Sequence, residues 1–395
     1  MSADRSSRQR VLDAFAHRGT DRTPLFETFQ PYHPIHWPIC GRNPATEAAL
    51  AWDALADGIA ASELVELETK AQFEMARYFG LDLVHMPSAH GEPLPRPTRT
   101  GPRRWRLEGL DYVVNERTQM VVAENPPQEL ADSKKIDEAG LVREIEEWES
   151  RPELEPGGDE YPEPFRLLKR MAEAEGQDWC YLGEVGAGTG VAFYPPFQLM
   201  WIASRPDLLL SWMAMVKARA FRETRRQISW GCEVVAMGGD VSCDKGPFCS
   251  PRHYHELILP AIQEHVRIIH EAGALAAYTS DGNHWPIRDD FFFHSGIDGY
   301  LEVDKAAGMT MERLHDEGVA QRVCIIGNID ARHALCVGTP EDVRREVRSC
   351  LQVGRRTSGG HILHTSHSVH EDVRPANYLA MVDEYRRIVG LPRLD

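Results

Sequence analysis

Eight side chains in this sequence, Glu27, His85, Glu184, Asp240, Asp281, Glu302, Asp330 and His367, each lie at or just past the end of a different short apolar run. Carboxylates and imidazoles gathered in a partly dry pocket acquire shifted proton affinities and serve as general acids, general bases or metal ligands. Asp281, His367, Asp240 and Glu184 are the candidates for catalysis, and Thr279, Asn283, His85 and Glu302 for holding substrate. Asp281 carries the strongest local signal. Ser250 suits a helix N-cap and Pro251 the first helical position, Leu257, Ile258, Ala261, Ile262, Val266 and Ile269 recur at three- and four-residue spacing, and Gly273 ends the run. Leu275 to Tyr278 then read as a buried strand, and Thr279, Ser280, Asp281, Gly282 and Asn283 follow where that strand meets solvent. In parallel α/β proteins this is the ligand-binding edge.

The elements that would position these groups alternate. Apolar runs occur at 24–29, 82–86, 179–185, 234–237, 275–279, 300–303, 323–326 and 362–365, and helical patterns at 206–229, 251–272, 309–317, 340–353 and 376–389. About eight strand–helix alternations predict a (β/α)8 TIM barrel formed by residues 1–395 as one domain, with a doubly wound sheet as the alternative. A small β-meander is expected as an insertion near residues 99–125, where β-prone stretches alternate with Gly and charged turns, and it is placed to cover the barrel mouth. A helix over 136–148 and a Pro/Gly-rich loop around 155–159 follow as surface.

Composition narrows the function classes. With 42% hydrophobic and 26% charged residues, and no stretch near the ~18 apolar residues of a membrane span, the chain reads as soluble. The N-terminus, MSADRSSRQRVLDAF, lacks an apolar signal core, so a cytoplasmic location is expected. A formal charge of −16 argues against nucleic acid or an anionic membrane as partner; a small-molecule substrate is expected, and an oligomer is compatible with the sequence. Eight dispersed cysteines with no CxxC pair read as reduced thiols. The glycine-rich loops at 183–190 and 237–247 lack the spacing and the following acidic residue of a dinucleotide site, so no nucleotide cofactor is expected. GxxxxGK[ST], GxSxG and HExxH are all absent. His361, His364, His367 and His370 recur every three residues, but the β-prone surroundings favour a strand and loop, leaving His367 as the pocket candidate and His361 and His364 as packing or surface residues.

The segments RQRVLDAFAHRGTDRTPL, SPRHYHELILPAIQEHVRIIHEAGA, SDGN, CIIGNID with GTPEDVRREVRSCL, and HILHTSHSVHEDVRPANYLAMVDEYR, in this order, resemble the uroporphyrinogen decarboxylase superfamily. That superfamily also contains cobamide-dependent methyltransferases acting on coenzyme M, methanol-derived or aryl methyl ether-derived methyl groups. The resemblance spans nearly the whole chain and implies a (β/α)8 barrel. The decarboxylases carry an arginine-rich segment after the first strand; here that region, Thr28 to Trp37, holds aromatic residues and histidines and no arginine. The methyltransferase branch binds zinc through a His-x-Cys pair after the fifth strand and a Cys after the eighth, and the corresponding positions here are Thr279, Asp281 and His367.

With both thiolates absent, the resemblance implies an oxygen- and nitrogen-rich site. Asp281 and His367, with Glu184 or Asp240, would hold zinc or another divalent metal, or protonate an ether oxygen. The expected activity is transfer of a methyl group from a small methylated or methoxylated substrate to a corrinoid partner protein, a demethylase-type reaction. The first rival is a lyase, a decarboxylase in which Asp240 or Asp281 stabilises a protonated intermediate and Arg288 meets the substrate carboxylate. The second is a non-catalytic binding protein on a degenerate barrel.

Overall fold

In the computed structural model, residues 5–87, 94–125, 138–150, 161–186 and 196–394 are described. The strands in chain order are β1 (Leu83–His85), β2 (Thr98–Gly101), β3 (Arg104–Leu107), β4 (Leu110–Val114), β5 (Val121–Ala123), β6 (Cys180–Val185), β7 (Val234–Gly238), β8 (Ser242–Cys243), β9 (Gly246–Pro247), β10 (Leu275–Thr279), β11 (Gly299–Leu301), β12 (Cys324–Ile326) and β13 (His361–Ile362). Seven of them form one parallel sheet in the order β1-β6-β7-β10-β11-β12-β13. This is a curled, TIM-barrel-like sheet, and its regular ladder does not close.

Residues 24–29 stand in the gap. Leu25 bridges Leu363 and Phe29 bridges Val369, both in parallel. On the other side the Leu25 carbonyl accepts from the Asp82 N–H at 2.8 Å. The segment fails to become a regular strand for a local reason: Pro24 has no N–H to give, and the Thr28 N–H turns to the Glu27 side chain at 3.0 Å. A buried ion network fixes it. Asp82, fully buried, accepts from Arg10 at 2.7 Å, Arg22 at 2.6 Å and the Leu25 N–H at 2.9 Å.

Side-chain alternation splits the apolar residues into two layers, as a sheet covered on both faces requires. Inward, Leu83, Leu182, Val234, Ala236, Ala277, Leu301, Ile326 and Ile362 pack with Phe26 and with Val11, Ala14 and Phe15 of the N-terminal helix Ser7–Phe15. That helix plugs one end of the barrel. A Cβ on Gly299 would stand 2.6 Å from the Phe15 ring, so only glycine admits the plug there. Outward, Val84, Val235, Ala276, Tyr278, Tyr300, Ile325 and Leu363 meet the surrounding helices.

Helices occupy the expected stretches: Pro206–Trp230, Leu259–Glu271, Met311–Asp316, Pro340–Gly354 and Pro375–Val389. The Ser250 hydroxyl caps the His253 N–H as its position predicts. The chain then widens into a π turn over Tyr254–Ile258 just before Pro260, whose missing N–H cannot continue a regular ladder. The predicted meander is the antiparallel sheet β2-β3-β4-β5, anchored by buried Trp105 against Trp52 and Val114. The helix expected over 136–148 runs Glu138–Ser150, and the loop around 155–159 lies outside the described residues. Among the described residues no helix is long and apolar enough to cross a membrane, and all eight cysteines are free.

Candidate functional site

At the end of the barrel opposite the plug, β10 runs into the turn Ser280–Asn283. Gly282 is in the left-handed region at φ 89°, and a Cβ there would meet three Cys243 backbone atoms at 2.9 Å. The turn therefore rests on the β8–β9 hairpin, into which the loop at 237–247 folds, and the Asn283 N–H donates to the Cys243 carbonyl at 2.9 Å. Ser280 is buried beneath: its hydroxyl oxygen accepts from the Val241 N–H at 3.3 Å and lies 3.0 Å from His284 Nε2. Burial drives the His284 proton affinity down to about 3, so the ring is neutral, with Nδ1 3.3 Å from the Tyr300 hydroxyl. This apolar and aromatic floor fixes Asp281.

The carboxyls that the floor carries hold their protons unusually well. Partial burial, then the charges of Asp240 and Asp304, raise Asp281 to about 6, with His367 opposing. Burial raises Glu302 to about 7; His367 pulls it down, and Asp240, Asp281 and Glu184 push it up. Asp240 is also raised by desolvation, partly offset by the Asp281 backbone and His367. Three acids and one imidazole thus sense each other's charge, and Glu302 sits at φ 58°, a backbone region costly for a residue with a side chain. Such strain and such shifts concentrate at functional sites. A carboxyl still protonated near neutral pH can deliver a proton to a substrate atom.

Asp281 and His367 open into a cavity of about 860 Å³ that is also lined by His33, Arg117, Asp304, Arg332, Cys336, Ser366, His370, Glu371, Asp372 and Arg374. Arg117, on the turn between β4 and β5, ion-pairs with Asp372, so the meander does reach the barrel mouth. Sequence reasoning missed Asp304 and the three arginines. Asp304 follows Glu302 by two residues and could have been found from the strand-end rule. The arginines lie on a hairpin turn, a helical turn and a helix cap, where one sequence gives no signal.

Other expected site residues have local duties. Glu184 is more than half exposed and bonds His85 Nε2 at 2.9 Å, which lowers its proton affinity. The Asn283 side chain accepts from the Trp285 N–H at 3.1 Å and shapes its own turn, so it does not line the cavity. Thr279 ends β10 beneath Asp281, partly buried and also outside the cavity lining. Asp330 caps the turn Ala331–Leu335 by accepting from the His333 N–H at 2.8 Å. Arg288 pairs with Asp289 and Glu317 in a separate depression and has no place in this site. His361 is buried against the Gly327 carbonyl at 2.7 Å, and His364 stacks on Phe26, both as packing residues. Glu27, fully buried, bonds Thr365 at 2.9 Å, and burial raises it to about 8.

The metal set Asp281, His367 and Glu184 is not assembled. Among the described residues no three His, Cys, Asp or Glu side chains come together to hold an ion, and Glu184 is turned to His85. Thr279 supplies no soft ligand where a thiolate-bound zinc would need one. The donors present do not fit that group.

A TIM-barrel-like fold with proton-holding carboxyls around a cavity at its strand ends defines an enzyme-type site. The chain belongs to the uroporphyrinogen decarboxylase (URO-D) family, which it matches over residues 143–388. Among solved structures it is similar to a methyltransferase from Methanosarcina mazei, at 15% identity and a TM-score of 0.60, over 97% of this chain and 99% of that one. A weaker likeness, with a TM-score of 0.31 and 14% identity over 53% of this chain and 76% of the other, is to a dihydropteroate synthase from Anaplasma phagocytophilum with bound 6-hydroxymethylpterin-monophosphate. No curated protein matches.

Proposed function

We propose that the protein is a methyltransferase that removes a methyl group from a small methylated or methoxylated substrate bound in the strand-end cavity. The observation that carries this reading is Asp281, a cavity-lining carboxyl raised to about 6 by partial burial and by its acidic neighbours. Family membership and the likeness to a methyltransferase of the same fold support it. A departing alkoxide or phenoxide is a poor leaving group, and a proton delivered in the same step removes its charge. In this reading Asp281 gives its proton to the leaving heteroatom while partial burial and the charges of Asp240 and Asp304 keep its affinity high. His367, the one imidazole the three acids share, then balances the carboxylate left behind. A corrinoid on a partner protein would supply the nucleophile that takes the methyl group. No step is assigned to a metal.

A second reading, decarboxylation, draws on Arg117, Arg332 and Arg374 in the cavity wall. There the same carboxyl protonates carbon after carbon dioxide leaves. The test is a spectroscopic assay of cob(I)alamin methylation across a panel of methoxylated and methylated small molecules. Turnover by the wild type that Asp281→Asn abolishes supports methyl transfer; carbon dioxide release without methylation supports the second reading.

A further inference from the structure

The cavity lining carries groups of both charges. Asp281 and Asp304 stand on it after β10 and β11, with Asp240 and Glu302 close enough to shift Asp281 or be shifted by it. Arg332 and Arg374 stand on it after β12 and β13. Arg332 follows β12 on the turn Ala331–Leu335, and Arg374 caps the helix Pro375–Val389 after β13. Counting residues 24–29 as the first member of the barrel, these are the loops after its seventh and eighth strands, where barrels commonly bind anions at a helix N-terminus.

Both guanidinium groups are under-used. Among the described residues Arg332 has one ion pair, a long one to Asp244 at 3.6 Å, and Arg374 has one side-chain hydrogen bond, to the Gly338 carbonyl at 3.4 Å. Each group offers five N–H donors, so most of them face solvent or the cavity. Asp372, also on the lining, is already engaged by Arg117. Two guanidinium groups on the lining of one cavity, one of them at the N-cap of a 15-residue helix, suit a carboxylate or phosphate, which accepts in the fork geometry that arginine presents.

We propose that Arg332 and Arg374 form an oxyanion clamp, so that the substrate carries a carboxylate or phosphate at the end opposite the group that reacts near Asp281. The clamp rests on the reading of this cavity as the substrate site, and it names the class of substrate: a small anionic molecule with a methyl ether or similar group at its far end. It also accounts for an acidic protein taking an acidic substrate. Asp281 on the lining holds its proton to about 6, and the two guanidinium groups meet the ligand's charge.

The test is equilibrium binding by isothermal titration calorimetry of three probes of one shape: 3-methoxybenzoate, 3-methoxyphenyl phosphate and neutral 3-methoxybenzamide. Wild type is expected to bind at least one anion about tenfold to a hundredfold more tightly than the amide. The Arg332→Gln/Arg374→Gln double variant is expected to lose that preference while its affinity for the amide stays unchanged. Benzoate and phosphate, compared directly, show which oxyanion the clamp favours. Equal binding of charged and neutral probes, no binding of any, or a preference that survives in the double variant overturns the clamp. Because the readout is binding, the two claims separate: turnover without charge preference removes the clamp alone, and charge preference without methyl transfer removes the reaction alone.

Discussion

Replacing Asp281 with asparagine removes the ionisation that the site resists, and the energy of that resistance is measurable as stability. In the unfolded chain this carboxyl ionises near its ordinary 3.8, whereas in the folded cavity it keeps its proton to about 6. Folded protein therefore binds more protons than unfolded protein between these values, and stability contributed by the neutral form is lost as pH rises through that window. At ~1.36 kcal/mol per tenfold change, full expression would cost roughly 3 kcal/mol above pH 6; solvent reaching the side chain screens this to about 1–2 kcal/mol. Asparagine has the same shape and no charge. Asp281→Asn is expected to match wild type near pH 4 and to become about 1–2 kcal/mol more stable by pH 7. Urea midpoints of both proteins from pH 4.5 to 8 read the difference. A variant that is uniformly less stable, or a difference that does not grow with pH, would mean that Asp281 is held for the fold and not against it.

Three further outcomes follow from the same structure. If Asp281 must be protonated to act, kcat/KM falls about tenfold per pH unit above roughly 6, and Asp281→Asn loses both the activity and this limb of the profile. Asp82→Ala leaves Arg10 and Arg22 facing a vacated buried site and is expected to cost about 3–5 kcal/mol of stability, read as a lowered urea midpoint. Dialysis against a chelator is expected to leave the melting temperature unchanged, since the described side chains build no ion site; a clear drop would show one.

Much of this molecule can be read from its chain because the strong signals are local. The run Leu275 to Thr279 and the helix before it obey simple periodicity, and the polar turn after them can only lie at a strand end. The strand expected at 362–365 shortens to His361–Ile362, and residues 24–29 pair only through bridges, because proline and a side-chain acceptor break the ladder. Asp240, Asp281 and Glu302 were legible for the same local reason, whereas Asp304, two residues past Glu302, was passed over. What was not legible depends on distant approach or on backbone shape. Glu302 adopts its left-handed conformation only in the folded barrel, and Asn283 spends its amide on a turn that looks like a site from sequence. Arg117, Arg332 and Arg374 meet across more than two hundred residues of chain.

The fate of the methyl group itself distinguishes methyl transfer from decarboxylation. A substrate with a deuterated methyl ether and a carboxylate, such as 3-(trideuteromethoxy)benzoate, is incubated with the protein and cob(I)alamin, and both products are weighed by mass spectrometry. Methyl transfer predicts the three deuterons on the corrinoid and a demethylated acid that still carries its carboxylate, with neither formed by Asp281→Asn. Release of carbon dioxide from a substrate that keeps its labelled methyl group, or binding with no transfer, would contradict the account.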